Sequence, residues 1–255
     1  MLGKIAPALV LVLVAGSVSA TTITGSFTFN ASGNSTAGDP ISAQAVFTLF
    51  SNNTMTLQLT NKLVNPSSVA QNITDFDFQL LNSLGQNITP GCTTATCLTS
   101  ANAPSRVVVA SNGSFTTLNG PEDPKWAFSL SSGVFLLDGL SGAHTPAFSI
   151  IGPPGGATYS AAGGSIAGNV PHNPFINQSA TWTFTIPNLA TVVTPAHIVF
   201  SFGTVGGDTF SCDNHGGCGA GGGGGGGQAV PEPLSFALVG GGLIGMYFIR
   251  RRRPR

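Results

Sequence analysis

The chain of 255 residues carries nine Lys and Arg against nine Asp and Glu, only 7% charged in all, with 35 Gly and 17 Pro. The neutral total hides a partition: five of the nine basic residues, Arg250 to Arg253 and Arg255, stand in the last six positions. The stretch 21–228 holds three cations (Lys62, Arg106, Lys125) against eight acids (Asp39, Asp75, Asp77, Glu122, Asp123, Asp138, Asp208, Asp213), a net of −5. Such a body cannot neutralise several phosphates, which excludes nucleic-acid binding through a basic patch.

Taken from the N-terminus, residues 1–20 join one early cation, Lys4, to an apolar run from Ile5 to Ala15 and a small-residue exit, Val18-Ser19-Ala20. That is the pattern of a secretory signal peptide cut by signal peptidase. The segment is therefore set apart from the mature fold.

Residues 21–215 read as an all-β body. Ile23, Phe27 and Phe29 share one parity, and Met55, Leu57 and Leu59 alternate with Thr and Gln, the period-2 signature of half-buried strands. Further runs are Ala43 to Phe50, Ile73 to Leu81, Arg106 to Ala110, Trp126 to Leu130, Val134 to Leu137, Ala147 to Ile151, Ala180 to Ile186 and His197 to Val205. About ten short strands with no amphipathic helix between them predict an antiparallel β-sandwich, jelly-roll or Ig-like. Residues 152–179, rich in Gly, Pro and Ala, predict a long loop. Residues 216–229 form a Gly-rich linker, and the spacing Gly217-x-Gly219-x-x-Gly222 lacks the strand-to-helix context that a dinucleotide fingerprint requires.

Candidate chemistry on the body is sparse. Cys92 with Cys97 and Cys212 with Cys218 form two close pairs; an even count in an exported chain predicts disulfides, with two local bridges the simplest connectivity. The alternative is a metal site of Cys212, His215 and Cys218 with a ligand from the other pair, although the spacing is not a standard zinc pattern. Asp75 and Asp77, two apart, share one strand face opposite Phe76 and Phe78, and paired carboxylates of that kind serve glycosidases. A solvated outer face is the simpler account of them, and Glu122 and Asp123 read as turn residues. No Gly-x-Ser-x-Gly elbow is present, and His144, His172, His197 and His215 show no metal spacing. Asp208, Asp213 and Asn214 could offer oxygens to calcium but fit no known calcium-loop pattern. Trp126, following Pro124-Lys125, is the better candidate for an exposed sugar contact, whereas Trp182 alternates with Phe184 and belongs to the core. The body is expected to be non-enzymatic and to need no cofactor; the alternatives are a carbohydrate-binding module or a secreted polysaccharide hydrolase.

The C-terminal segment 230–255 has three ordered parts. Pro231-Glu232-Pro233 fixes an extended chain, residues 234–249 are uncharged, and Arg250, Arg251, Arg252 and Arg253 follow at once. As a helix, 234–249 would reach roughly 24 Å, a short transmembrane span that snorkelling arginines complete, with the cationic tail left on the cytoplasmic side. This arrangement resembles the PEP-CTERM sorting signal of exported proteins of Gram-negative bacteria. Leu234 stands directly after the triplet where the family often has Ser or Thr, a small departure. The resemblance implies an exosortase-type membrane transpeptidase as partner, cleavage near the triplet, and a route through a single-pass membrane intermediate to the cell surface or outside. It also implies company with exopolysaccharide and biofilm machinery, with extracellular polysaccharide a possible ligand.

Overall fold

The computed structural model of the protein describes residues 21–88, 90–187, 189, 194–204 and 208–212. The expected signal peptide, the Gly-rich linker, Pro231-Glu232-Pro233, the span 234–249 and Arg250 to Arg253 lie outside these residues. No helix among the described residues is long and apolar enough to cross a membrane.

The protein is all-β, with 52% strand and 5% helix among the described residues. Its strands are β1 (Ile23–Asn34), β2 (Pro40–Phe50), β3 (Thr54–Asn61), β4 (Ile73–Leu81), β5 (Leu98–Val109), β6 (Phe115–Glu122), β7 (Ala127–Ser131), β8 (Val134–Asp138), β9 (Ile150–Ile151), β10 (Phe175–Asn177), β11 (Ser179–Thr185), β12 (Thr194–Phe202) and β13 (Thr209–Ser211). One four-residue helix, α1 (Thr94–Cys97), precedes β5. Hydrogen bonding gives the order β1-β2-β3-β11-β5-β10-β9-β4-β12-β13, with β6 beside β5, and β8 joined to both β4 and β7. Every pairing is antiparallel except β9 with β10.

Two sheets share strands. Leu98 to Asn102 of β5 pair with β11 in the first sheet, whereas Ala103 to Val109 pair with β6, and Arg106 and Val107 with β10, in the second. The chain makes the same passage at Gln178, whose φ of 66° turns it from β10 in the second sheet into β11 in the first.

The core follows from alternation. In β2 every second residue from Ile41 to Leu49 is buried, and in β4 Phe76, Phe78 and Leu80 are fully buried while Asp75, Asp77 and Gln79 are not. Phe47 of the first sheet meets Phe76 and Phe78 of the second, with ring centroids 6.1 and 5.1 Å apart. Phe78 stacks on Phe135 at 4.6 Å, and Phe76 meets Phe200 edge-on at 4.9 Å. Such pairs add about 0.5–1.5 kcal/mol each to the stabilisation from burial alone.

A buried polar pin joins three elements at one end of this core. Asn61, fully buried at the close of β3, donates from Nδ2 to the carbonyls of Gln71 (2.8 Å) and Ile150 (3.0 Å), and its Oδ1 accepts from Leu63 N–H (3.0 Å). Gln71 ends the 3-10 turn Val69–Gln71 and accepts from the amides of Ser67 and Ser68, closing a capping box.

Several expectations need adjustment. β5 begins at Leu98, well before the expected Arg106, because Pro104 and small polar residues break the apolar alternation there without breaking the ladder. β6, β10 and β13 were not foreseen: β6 is wet on both faces, and β10 and β13 are three residues each. Ala147 to Ile151 contributes only Ile150 and Ile151, and β12 lies three residues earlier than expected, with a register shift around His197 at φ 49°. The segment expected as a loop over 152–179 contains β10 and the start of β11. Its remainder is packed: Tyr159 and Ile166 are buried in a second small core with Val107, Val109, Ile151 and Phe175, and Tyr159 Oη donates to the Gly152 carbonyl at 2.9 Å.

Candidate functional site: a carboxylate pair between strands

The β4 pattern that sends Phe76 and Phe78 inward sends Asp75 and Asp77 to the opposite face. Antiparallel register then places Asp138, the last residue of β8, directly opposite Asp75, and Leu136 opposite Asp77. On the other flank β12 sets Ser201 beside Asp75 and Val199 beside Asp77. Asp75 Oδ1 accepts the amide of Gly139 at 3.0 Å, and Asp138 Oδ1 accepts the amide of Ser141 at 2.8 Å. Gly139 permits this turn to close, because a Cβ there would sit 2.5 Å from the Thr74 carbonyl oxygen.

The two carboxyls differ in environment. Burial, followed by the negative charge of Asp138 and a hydrogen bond with it, pushes Asp75 up to about 7, against the pull of the Gly139 and Leu140 amides. Burial also pushes Asp138 up, but hydrogen bonds from the Ser141 side chain and amide, with those involving Asp75 and Leu140, outweigh it and hold this carboxyl below its usual range. The proton of the pair therefore resides on Asp75 near neutral pH. Burial and Asp138 raise Asp77 as well, and its Oδ1 is enclosed without a hydrogen-bond partner. The arrangement can hold and release a proton near neutrality. Asp75, Asp77 and Asp138 do not line the cavities of 270, 390 and 230 Å³ found among the described residues.

The other candidates are dispersed. Trp126, expected as an exposed platform, is 6% exposed. Lys125, at φ 59°, turns the chain so that the following ring enters the core, where it packs 5.0 Å from Trp182 and its Nε1–H bonds the Phe148 carbonyl at 3.0 Å. What remains accessible of Trp126 lines the 270 Å³ cavity with Asp123, Lys125 and Thr99. Asp123 does act in a turn, accepting the Lys125 amide at 2.8 Å, but Glu122 ends β6 in an ion pair with Arg106 of β5. Asp208 Oδ1 is taken by the Ala37 amide at 3.0 Å and Thr36 Oγ1 at 3.3 Å, so it clasps the β1–β2 hairpin. Asp213, Asn214 and His215 lie outside the described residues.

Cys92 and Cys97 form a disulfide across α1. Cys212 is disulfide-bonded too, and its expected partner Cys218 lies outside the described residues. Among the described residues no three His, Cys, Asp or Glu side chains gather as a metal site. His197 is exposed at its bulge, His144 stacks on Phe148 at 4.1 Å, and burial holds His172 below the usual imidazole range despite a hydrogen bond with the Pro146 carbonyl. Sequence reasoning missed Asp138. The outward parity of Leu136 extends to it, but only the β4–β8 register reveals its partner.

Comparison with curated proteins finds no match, and neither does comparison with solved structures. At the C-terminus the outcome differs: residues 229–253, which include Pro231-Glu232-Pro233 and Arg250 to Arg253, match the PEP-CTERM protein-sorting motif. The chain thus carries at its C-terminus a PEP-CTERM protein-sorting motif, the kind of signal by which an exosortase handles an exported protein.

Proposed function

We propose that this chain is a non-enzymatic cell-surface or extracellular-matrix protein. Its body is a β-sandwich of jelly-roll or Ig-like type, exported behind the signal peptide 1–20 and held briefly by the span 234–249. An exosortase-type transpeptidase then cuts near Pro231-Glu232-Pro233, and the body takes its place among exopolysaccharide and biofilm components. The motif at 229–253 is the observation that carries this reading. A disulfide in the body suits the oxidising compartment to which export leads. Mass spectrometry of the mature protein from the cell surface tests the route. A C-terminus near the triplet is expected, and an intact Ile249-Arg250-Arg251-Arg252-Arg253-Pro254-Arg255 end on released protein would overturn it.

A second reading, a carbohydrate-binding module, draws support from the outer face of the first sheet. Strand register aligns Ser26, Thr48, Thr56, Thr183 and Ser100 in one row, with Thr28, Val46, Gln58, Thr181 and Asn102 in the next, and neither row contains a charge. A neutral grid of hydroxyls and amides, interrupted by Val46, suits a neutral glycan better than a charged one. Glycan-array binding that falls at least about tenfold in Thr56→Val with Thr183→Val, a loss of about 1.4 kcal/mol, would establish it. Binding unchanged in that variant would dismiss this face.

A further inference from the structure

Among the described residues, strand β1 has one neighbour. It pairs with β2 along its length, and no other strand among the described residues pairs with it. Ser35 N–H bonds the Asp39 carbonyl at 2.8 Å, which sets the alternation of the ladder. Odd-numbered residues from Gly25 to Gly33 therefore direct their backbone groups to β2, and Ser26, Thr28, Asn30 and Ser32 direct theirs outward.

Proteins ordinarily guard such edges with charge, proline, a bulge or brevity. Among the described residues, the edges formed by β6, β7 and β13 are guarded in these ways. β6 contains Pro121 and ends in the ion-paired Glu122, β7 has five residues, and β13 has three. β1 has twelve residues and no proline, residues 21–38 contain no ionisable side chain, and the register is regular from Gly25 to Asn34.

We propose that two copies of the chain associate edge to edge through β1, antiparallel about a twofold axis, merging their first sheets. Parity makes the edge self-complementary. The outward backbone groups belong to even-numbered residues, so Ser26, Thr28, Asn30 and Ser32 of one copy must bond the same set in the other. Even then meets even and odd meets odd, which aligns the Phe27 and Phe29 faces of both copies on the core side. Charge permits this edge: two acidic bodies can approach along it because it brings no ionisable side chain to the seam. Water solvates this edge in the monomer, so the gain comes from strand pairing. One strand pair buries less than the roughly 1,600 Å² of a standard interface, which sets the affinity on the order of micromolar.

Sedimentation velocity of the full chain in detergent, from about 1 to about 100 µM, tests this. Wild type is expected to shift from monomer to dimer across the series. Thr28→Pro removes an outward donor without touching the ladder to β2, and Ser26→Lys places a charge on the edge twice about the axis. Each should weaken the dimer at least about tenfold, whereas Thr116→Lys on the β6 edge leaves it unchanged. Amide exchange at Ser26, Thr28, Asn30 and Ser32 should slow with protein concentration in wild type, a readout independent of how the variants fold. A monomer throughout the series, a dimer indifferent to both β1 variants, or concentration-independent exchange at these four amides would overturn the proposal.

Discussion

Asp75 and Asp138 face each other as direct partners across the β4–β8 ladder, two carboxylates at a position where strand pairing ordinarily sets neutral or opposite charges. The ladder tolerates them because Gly139 and Ser141 supply amides to the two carboxyls and Asp75 keeps its proton to about pH 7.

Stability should accordingly fall as pH rises through neutrality. The folded value of Asp75, about 7, lies above its unfolded value of about 4, so between them the native state binds more protons than the unfolded chain. The stabilisation tied to this proton is complete below about pH 4 and is lost above about pH 7. Asp75 is only half-buried, so screening reduces the full linkage to on the order of 1–2 kcal/mol. Asp75→Asn keeps an acceptor for Gly139 and removes the titration. Its melting temperature should gain on wild type between pH 5 and pH 8, and parallel curves over that range would refute the assignment.

Asn61 should be among the costliest polar positions in the body. Asn61→Ala strands the carbonyls of Gln71 and Ile150 and the Leu63 amide in a site without solvent, for a loss of about 2–4 kcal/mol. Denaturant titration should show a lower midpoint with an unchanged slope.

Trp126→Ala should cost about 3–5 kcal/mol, and Trp126→Phe roughly half of that, since the smaller ring still fills the space beside Trp182 but leaves the Phe148 carbonyl unbonded. With its ring inside, Trp126→Phe is expected to leave any glycan retention on an affinity column unchanged. A retention loss without a stability loss would return this residue to the surface.

Gly152 accepts no side chain. Its Cβ would lie 2.0 Å from the Leu63 carbonyl oxygen, and its own carbonyl receives Tyr159 Oη. Gly152→Ala is expected to destabilise by more than about 2 kcal/mol, and Tyr159→Phe by about 1–2 kcal/mol, as thermal melts would report.

Period-2 patterning made the buried half of this fold legible. Phe27, Phe47, Phe76, Phe78 and Phe184 each stand in clear alternation, and each is in the core. Where strands are wet on both faces, as in β6, or only three residues long, as in β10 and β13, no apolar period exists to be read. Asp75 was singled out from its own strand, but Asp138 became its partner through a register that no local pattern encodes. Trp126 failed as a surface residue for a related reason: the left-handed turn at Lys125 reverses the side that a linear reading assigns. The sorting segment was legible because its recognition depends on order along the chain rather than on folding.

The passage of β5, and of the β10–β11 segment, from one sheet into the other has a mechanical corollary. Neither layer can be peeled away intact, since each contains part of the same two stretches of backbone. Loss of one layer forces loss of the other, so calorimetric and van't Hoff enthalpies of the body should agree in a single transition. That coupling denies proteases a partly unravelled intermediate.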